Sequence, residues 1–425
     1  MPTGTLAALL AVVPKINSGD TAWMLMATAL VLFMTPGLAL FYGGMVRSRH
    51  VLSMLMQNVF AMGLIALVWV IVGFSLAFGR AGDGGLLGNF AFVGFHNVGQ
   101  SPVTGMTIPF VLFAAYQMTF AVITPALITG ATADRFKFSG YCAFIVLWSI
   151  LVYAPVAHWV FAGGWLAKAG ALDFAGGAVV HINAGAAALA VVLVLGKRKG
   201  WPEHPMPPHS LPLTMLGTGI LWFGWFGFNA GSALAANGVA ASAAVNTFIA
   251  ASAAMVSWVF VERYREGHPT TLGAASGAVA GLVAITPCAG YVDTWAALVI
   301  GLIAGVVCVF ALGLKSRFGF DDSLDVIGVH LVGGIVGSIV LGFFATTKIN
   351  PAGHNGLFYG GGLHLLGAQA LAAGVTLVFS FVASFAIAKA LDATIGIRAS
   401  AEDEAVGLDL SQHAETAYQF GELGH

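Results

Sequence analysis

Two histidines stand at the same distance from an aspartate in two separate apolar segments. His181 follows Asp173 by eight residues, and His330 follows Asp322 by the same interval. Imidazole exchanges protons near neutral pH, and its ring nitrogens donate or accept hydrogen bonds. The chemistry that this pattern indicates is the binding of a small polar molecule, or proton transfer, in an apolar environment.

The interval places each histidine deep within a helix. Eight helical residues advance about 12 Å, which is close to half of the bilayer's hydrocarbon core of about 30 Å. An ionisable side chain at that depth marks a pathway or a buried polar network. For one histidine, a core residue bonded to a nearby carbonyl explains the position equally well. The repeated interval favours function, because many transporters consist of two inverted repeats with the site between them.

Composition indicates a membrane protein. Of the 425 residues, 58% are hydrophobic and 8% are charged, whereas soluble proteins carry about 25% charged residues. The net charge of −1 argues against nucleic acid as a partner. Cys142, Cys288 and Cys308 lie in apolar segments at spacings that indicate neither a disulfide framework nor a metal site. We therefore expect a lipid bilayer around the chain, and no metal or cofactor.

Eleven apolar segments are candidates to cross a bilayer, which takes about 20 residues each. They are 21–44, 51–78, 104–132, 141–166, 176–196, 210–232, 241–261, 270–288, 294–313, 326–345 and 365–390. The sequence thus predicts an all-α polytopic membrane protein with eleven transmembrane helices. Its parts are a lead at 1–20, a transmembrane transporter domain at 21–390 and a tail at 391–425. The lead is too short for a span and, without a preceding Lys or Arg, makes a poor signal peptide.

Loop charge sets the predicted orientation. With Arg47 placed in the cytoplasm, thirteen of the seventeen Lys and Arg side chains fall on that side. The four exceptions are Lys15, Arg80, Lys168 and Lys348. Basic loops stay in the cytoplasm, so we predict that the N-terminus is outside and the C-terminus is cytoplasmic. Repeats of about 21–196 and 210–345 then run in opposite senses, and 365–390 is an additional eleventh helix.

A glycine pattern predicts close packing between helices. Gly273, Gly277 and Gly281 recur every four residues, a spacing that lets membrane helices pack closely.

In the tail we expect the polar side chains to face water; they are Asp409, His413 and Glu415. The tail is either disordered or docked on the protein through its apolar residues, which are Leu408, Leu410, Tyr418 and Phe420.

Longer motifs make the chain resemble a known family over nearly its whole length. They are Phe41-Tyr-Gly-Gly44, Phe120-Ala-Val-Ile-Thr124, Asp173-Phe-Ala-Gly-Gly177 with His181, Trp225-Phe-Gly-Phe-Asn-Ala-Gly-Ser232, Thr286-Pro287, Gly290-Tyr291, Asp325-Val-Ile-Gly-Val-His330, Gly407-Leu-Asp409 and His413-Ala-Glu415. With these motifs the sequence resembles the ammonium transporter family (the Amt/Mep/Rh superfamily), and within it the bacterial Amt branch. Ala178 and Ala414 depart from the family pattern, which often has Thr and Gly there.

The resemblance implies a channel-like ammonium transporter, not an enzyme, with an inverted five-plus-five repeat plus an extra eleventh helix. It further implies a homotrimer in the inner membrane, with one pore per subunit and methylammonium as a substrate analogue. A P-II-type regulatory protein is a possible partner on the cytoplasmic face.

The resemblance also assigns residue roles. Ammonium would bind in an external vestibule to Phe120, Ser232 and an aromatic ring supplied by either Phe161 or Trp159. The pore would continue past the stacked rings of Phe120 and Phe228 to Trp225 and the twin histidines, His181 and His330. Asp173, at the start of its helix, can in addition attract the cation electrostatically at longer range.

The chemistry of these residues agrees with such a pathway. An ammonium ion over an aromatic face gains about 2 kcal/mol when desolvated, and a serine hydroxyl accepts an N–H bond. An apolar passage penalises the ion far more than the neutral amine, so the proton should leave first. We expect His181 and His330 to meet side by side. At least one ring should be neutral at pH 7, and the pair should titrate as a unit.

Simpler explanations and other functions remain open. Helix packing alone explains Phe120 and Phe228, and Ser232 can bond back to its own helix. Asp173 is expected mainly to cap its helix, and the aspartates before the tenth helix should cap it in the same way; they are Asp321, Asp322 and Asp325. An ammonium sensor would need a signalling domain, for which about 35 tail residues are too few. An intramembrane enzyme lacks a carboxylate pair or activated nucleophile.

Overall fold

The structure is a computed structural model that describes residues 15–419, and its framework is helical. Ten helices are long and apolar enough to cross a membrane, and one further apolar helix is shorter. We label them α1 (Ser18–Met45), α2 (Val51–Phe78), α3 (Phe110–Thr132), α4 (Phe138–Lys168), α5 (Gly177–Leu195), α6 (Leu211–Ala233), α7 (Gly238–Glu266), α8 (Thr271–Ile285), α9 (Thr294–Phe318), α10 (Ile327–Phe344) and α11 (His364–Thr394). Between residues 15 and 419 the β-structure is limited to one bridge, from Phe136 to Arg398. The predicted all-α fold with eleven apolar helices is confirmed.

Helix boundaries differ from the predicted ones for local reasons. α3 begins at Phe110 rather than near 104, directly after Pro109, because a proline disfavours helix in the residue before it. α7 continues through charged residues to Glu266 and ends at Gly267, which has a φ of 88°. At several helix starts a polar side chain accepts a backbone N–H bond, as is typical of an N-cap. These caps are Asn17, Ser210, Asn237, Thr270 and Asp293.

Helices pack against each other closely, both between the two halves of the chain and within the second half. α1 lies along α6, and a Cβ atom added at Gly217 would stand 2.2 Å from the backbone nitrogen of Phe41. In α8, a Cβ atom at Gly281 would stand 2.5 Å from the carbonyl oxygen of Ala250 in α7. Only glycine permits such an approach, so the predicted packing role of the glycine pattern is confirmed.

The tail docks on the protein as two short helices, α12 (Ala401–Val406) and α13 (Leu408–His413). Leu408 is buried, and the Glu404 carboxylate accepts a 2.7 Å hydrogen bond from the backbone N–H of Lys199. Asp409 is also buried, and its Oδ1 accepts a 2.8 Å bond from the Ser53 N–H. The prediction that Asp409 faces water is therefore wrong, and so is a disordered tail for residues up to 419. Phe420 lies outside the described residues.

The loops under the tail form what we call the basic face, made of residues 46–50, 133–137, 196–210 and 312–326. Arg47 Nε lies 2.9 Å from Asp134 Oδ2, and Arg198 binds both carboxylate oxygens of Asp321, at 2.8 and 2.9 Å. Burial raises the pKa of Asp134, but the charges of His50, Arg47 and Arg198 outweigh it and hold that pKa below its usual value. Buried charges of both signs thus pair with each other where the helices end.

Candidate functional site

At the end of α6 remote from the basic face, an open cavity of about 350 Å³ enters the protein. We call it the entrance cavity. Its lining includes Phe113, Gln117, Phe120, Val160, Phe161, Asp173, Phe174, Ser232, Leu234, Tyr291 and His354. Four residues that were singled out from the sequence, Phe120, Phe161, Asp173 and Ser232, therefore lie around one cavity.

Aromatic rings close the floor of the entrance cavity. The rings of Phe120 and Phe228 have their centroids 4.3 Å apart, at an interplanar angle of 31°, and both are buried. Phe161 meets Phe120 edge-on with centroids 6.4 Å apart. Trp159 points elsewhere: its Nε1 donates to the Leu86 carbonyl, and its ring packs on Phe379. Of the two candidates in this part of α4, only Phe161 stands beside Phe120.

The Ser232 hydroxyl donates its proton to a hydrogen bond within the protein. Its Oγ donates to the carbonyl oxygen of Phe228 at 2.8 Å, one turn earlier in α6. The Tyr116 hydroxyl lies 3.2 Å from the same Oγ and donates to the carbonyls of Gly227 and Phe228 at 2.9 Å. With its proton directed to a carbonyl, Ser232 retains lone-pair capacity to accept an N–H bond from a bound cation.

His181 and His330 meet directly behind the phenylalanines. Their Nδ1 atoms lie 3.2 Å apart, and only 1% and 3% of their surfaces are exposed. One Nδ1 donates and the other accepts, so a neutral pair presents one Nε2 acceptor and one Nε2–H donor. His181 Nε2 is buried, with no hydrogen-bond partner within residues 15–419. The predicted contact between the rings is confirmed.

The space beside the histidine pair is narrow and mostly apolar. This lumen has a volume of about 10 Å³, which is about what one water-sized molecule needs. It is lined by Met34, Leu38, Phe41, Ile123, Leu127, Val180, His181, Leu221, Trp225, Phe228, Val279 and His330. An ion in this space would exchange its hydration shell for hydrocarbon and two imidazoles, a large cost that a neutral molecule avoids.

Trp225 packs flat against the His181 ring and is itself held by a hydrogen bond. Its indole stacks on His181 with centroids 5.6 Å apart and an angle of 18°, and its Nε1 donates to Thr286 Oγ1 at 3.0 Å. Phe228 lies 6.1 Å from His181 on the entrance side. Phe120, Phe228, His181 and His330 therefore form a continuous column of rings.

The helices that carry the histidines begin in the same way. Asp173 accepts four backbone N–H bonds, at 2.6 to 3.2 Å, from residues 176–179. Asp322 accepts two, from Val326 and Ile327. The predicted capping by Asp173 and Asp322 is confirmed, whereas the same prediction is wrong for Asp321 and Asp325. Asp321 instead binds the backbone N–H and guanidinium of Arg198, and Asp325 binds Lys315.

Sequence reasoning missed Tyr116 and Gln117, which approach the entrance from α3. The signal available for Gln117 was a polar side chain within an apolar segment, a position that indicates function in membrane helices. For Tyr116, the interval of four residues to Phe120 placed both rings on one helix face. Within residues 15–419, no group of three or more His, Cys, Asp or Glu side chains could hold a metal ion.

Comparisons with known proteins show which family the chain belongs to. The model of the Ammonium Transporter Family matches residues 22–418. The ammonium transporter of Mycobacterium tuberculosis (strain ATCC 25618 / H37Rv) is 51% identical, over 95% of this chain and 91% of its own length. The ammonium transporter of Bacillus subtilis (strain 168) is 49% identical, over 94% and 98%.

Among solved structures, Saccharomyces cerevisiae Mep2 superposes with a TM-score of 0.85 at 36% identity, and the match covers 91% of each chain. A structure described as a sensor Amt protein superposes with a TM-score of 0.85 at 29% identity, over 93% of this chain and 98% of the other. Together with the family match, these likenesses establish a transporter rather than an enzyme, and the chain belongs to the ammonium transporter family.

Proposed function

We propose that this multi-pass membrane protein binds ammonium in the entrance cavity, removes its proton there, and conducts ammonia through the lumen past His181 and His330. The observation that supports this most strongly is the column of rings from Phe120 to His330. It leads from a cavity with polar groups to an apolar lumen with room for one small molecule.

Recruitment of the cation would use three kinds of group. Phe120 and Phe161 present π surfaces, which attract ammonium more strongly as water leaves. Ser232 Oγ accepts an N–H bond. The Asp173 carboxylate is held by four backbone N–H bonds and adds attraction at longer range.

Deprotonation would follow from the narrowness of the passage. The charged form is strongly disfavoured in the lumen, so ammonium releases a proton at the Phe120–Phe228 floor and ammonia alone moves on. In the lumen the Nε2 acceptor and the Nε2–H donor of the histidine pair replace the hydrogen bonds of water. The same pair can take up the separated proton and pass it from ring to ring.

We also propose the membrane location, the orientation and the oligomeric state of the protein. The distribution of Lys and Arg supports an orientation in the inner membrane with residues 1–20 outside and the 391–425 tail in the cytoplasm. Residues 21–390 then form the transporter domain. We propose a homotrimer with one pore per subunit, and the basic face with its docked tail as the surface that a P-II-type regulatory protein would contact.

The test is transport by the purified full chain in proteoliposomes, with uptake of labelled methylammonium and electrical current recorded together. We expect saturable uptake that ammonium inhibits competitively. A sensor, the alternative that the likeness to a sensor Amt structure raises, would bind ammonium in the same vesicles without net uptake. That result would overturn the transport mechanism.

A further inference from the structure

Gln117 is a buried amide at the entrance cavity whose oxygen has no partner. It lies in α3, only 9% exposed, and lines the cavity together with Phe120 and Ser232. Its Oε1 has no hydrogen-bond partner within residues 15–419. Since a buried acceptor without a partner costs stability and is uncommon in folded proteins, this position needs an explanation.

Two other buried glutamines show what a structural role looks like in this protein. The Gln369 side chain bonds to the Leu172 N–H and carbonyl and to the Ser338 carbonyl, tying α11 to the loop before α5. Gln57 Nε2 donates to the Phe136 carbonyl at 3.4 Å and so joins α2 to the loop after α3, although its Oε1, like that of Gln117, has no partner within the described residues. Gln117 bridges no helices in this manner, so helix packing does not account for its amide.

The position of Gln117 on α3 aims it at the cation site. Phe113, Gln117 and Phe120 are spaced by four and three residues, which places them on one face of the helix, and all three line the entrance cavity. A half-turn about the last side-chain bond exchanges the amide oxygen and nitrogen, so the group can present its oxygen to a bound cation.

We propose that Gln117 is a further cation-binding residue whose amide oxygen accepts an N–H bond from ammonium and sets the preference for ammonium over methylammonium. This inference rests on the proposed function of the entrance cavity. Ammonium donates four N–H bonds, and the aromatic faces and Ser232 satisfy part of them. Methylammonium donates three and can turn its methyl group toward whichever wall offers no acceptor, so the acceptor matters more for ammonium.

The experiment compares two cations in proteoliposomes of the full chain: the KM for labelled methylammonium and the Ki of ammonium as its competitor. In Gln117→Leu the ammonium Ki should rise about tenfold, since a hydrogen bond to a charged group is lost. The methylammonium KM should rise by less than about threefold, so the preference for ammonium declines. Val160→Ala, which changes an apolar wall of the same cavity, is the matched control and should leave the ratio of the two constants unchanged.

Gln117→Glu keeps an acceptor oxygen and adds a negative charge. It should lower both constants together and preserve their ratio, because Coulomb attraction does not depend on the number of N–H groups. If Gln117→Leu fails to fold, Gln117→Met, which also removes the acceptor but keeps the length of the side chain, is measured in its place. Unchanged constants in both variants, or a proportional rise of both constants in Gln117→Leu, would overturn the role of Gln117. Absence of uptake by the unmodified protein would instead overturn the proposed function on which it rests.

Discussion

The Nδ1 atoms of His181 and His330 lie 3.2 Å apart, and each histidine stands eight residues after an aspartate that caps its helix. Both rings also lie in wide π-helical turns, Gly177–Ile182 and Ile327–Leu331, which are frequent at functional sites. Because α5 and α10 end inverted repeats, equal intervals from equal caps bring the two rings to the same depth. The contact between them is thus a product of the internal symmetry of the fold.

Removal of the Phe120 ring should weaken ammonium binding. In Phe120→Ala the KM for ammonium should rise about tenfold or more, because a desolvated cation–π contact contributes about 2 kcal/mol. Phe113→Leu is the control, since Phe113 lines the same cavity but packs on Phe74 and Phe78. Equal KM values for Phe120→Ala and the unmodified protein, measured by uptake into proteoliposomes, would remove Phe120 from the binding site.

The proposed orientation predicts which side of the membrane reacts with a thiol reagent. Ser48 and Lys348 are exposed at opposite ends of the helices, so a cysteine at Ser48 should label only from the cytoplasm and one at Lys348 only from outside. Cys142→Ala removes the one native cysteine that is not buried. Labelling of both positions from the same side of intact cells would contradict the orientation.

The docked tail should support transport. Truncation after Ser400 removes Glu404 and Leu408, which bind the loops of the basic face, and Asp409, which binds the first turn of α2. Uptake should fall by about half or more, because the cytoplasmic helix ends lose these restraints. Size-exclusion chromatography should show an unchanged oligomer. Full uptake by the truncated protein would make the tail dispensable for transport.

Tail docking should weaken in acid through His50. Its Nδ1 accepts the Leu408 N–H. Burial, and then Arg47, Arg49 and Arg198, outweigh Asp134 and lower the pKa of His50 from 6.5 to about 4. Because docking lowers the pKa of His50, neutral His50 favours the docked tail. This contribution is complete above pH 6.5 and is lost as the pH falls from about 6.5 toward 4, where the ring takes up a proton.

Proteolysis of the tail at pH 7.5 and pH 5 measures this effect. Cleavage after residue 400 should accelerate at pH 5 in the unmodified protein, and less so in His50→Asn, which keeps an acceptor without titrating. Burial also raises the pKa of Asp409, which favours docking in acid in both proteins alike. The difference between the two proteins therefore reports His50, and an identical pH dependence would contradict its role.

The sequence predicted the helices and the histidine contact because both depend on periodic, local patterns. Apolar length gives the spans, and the Asp-to-His interval gives the depth of each ring. The choice between Phe161 and Trp159 could not be made from spacing, since it depends on the break in α4 before Trp165–Lys168. At that break Phe161 lies beside Phe120, while Trp159 packs on Phe379.

Ion pairs and hydrogen bonds between residues far apart in the chain could not be predicted from the sequence. Asp321, Asp322 and Asp325 are alike in type and close in sequence, but Arg198 binds Asp321 from 123 residues away, and Lys315 binds Asp325 from the end of α9. Asp409 looked solvated for the same reason, as its partner is the N–H of Ser53 in α2. Contacts between residues distant in the chain produce no periodic pattern in the sequence.

The most direct test of the central claim is the ratio of electrical current to amine uptake in proteoliposomes of His181→Ala and His330→Ala. If the pair handles ammonia and its separated proton, each variant should lose uptake or show a changed ratio of charge to amine, while its thermal unfolding profile shows that it remains folded. If both variants carry ammonium with the rate, selectivity and current of the unmodified protein, the two histidines form only a buried polar contact and the proposed mechanism is wrong.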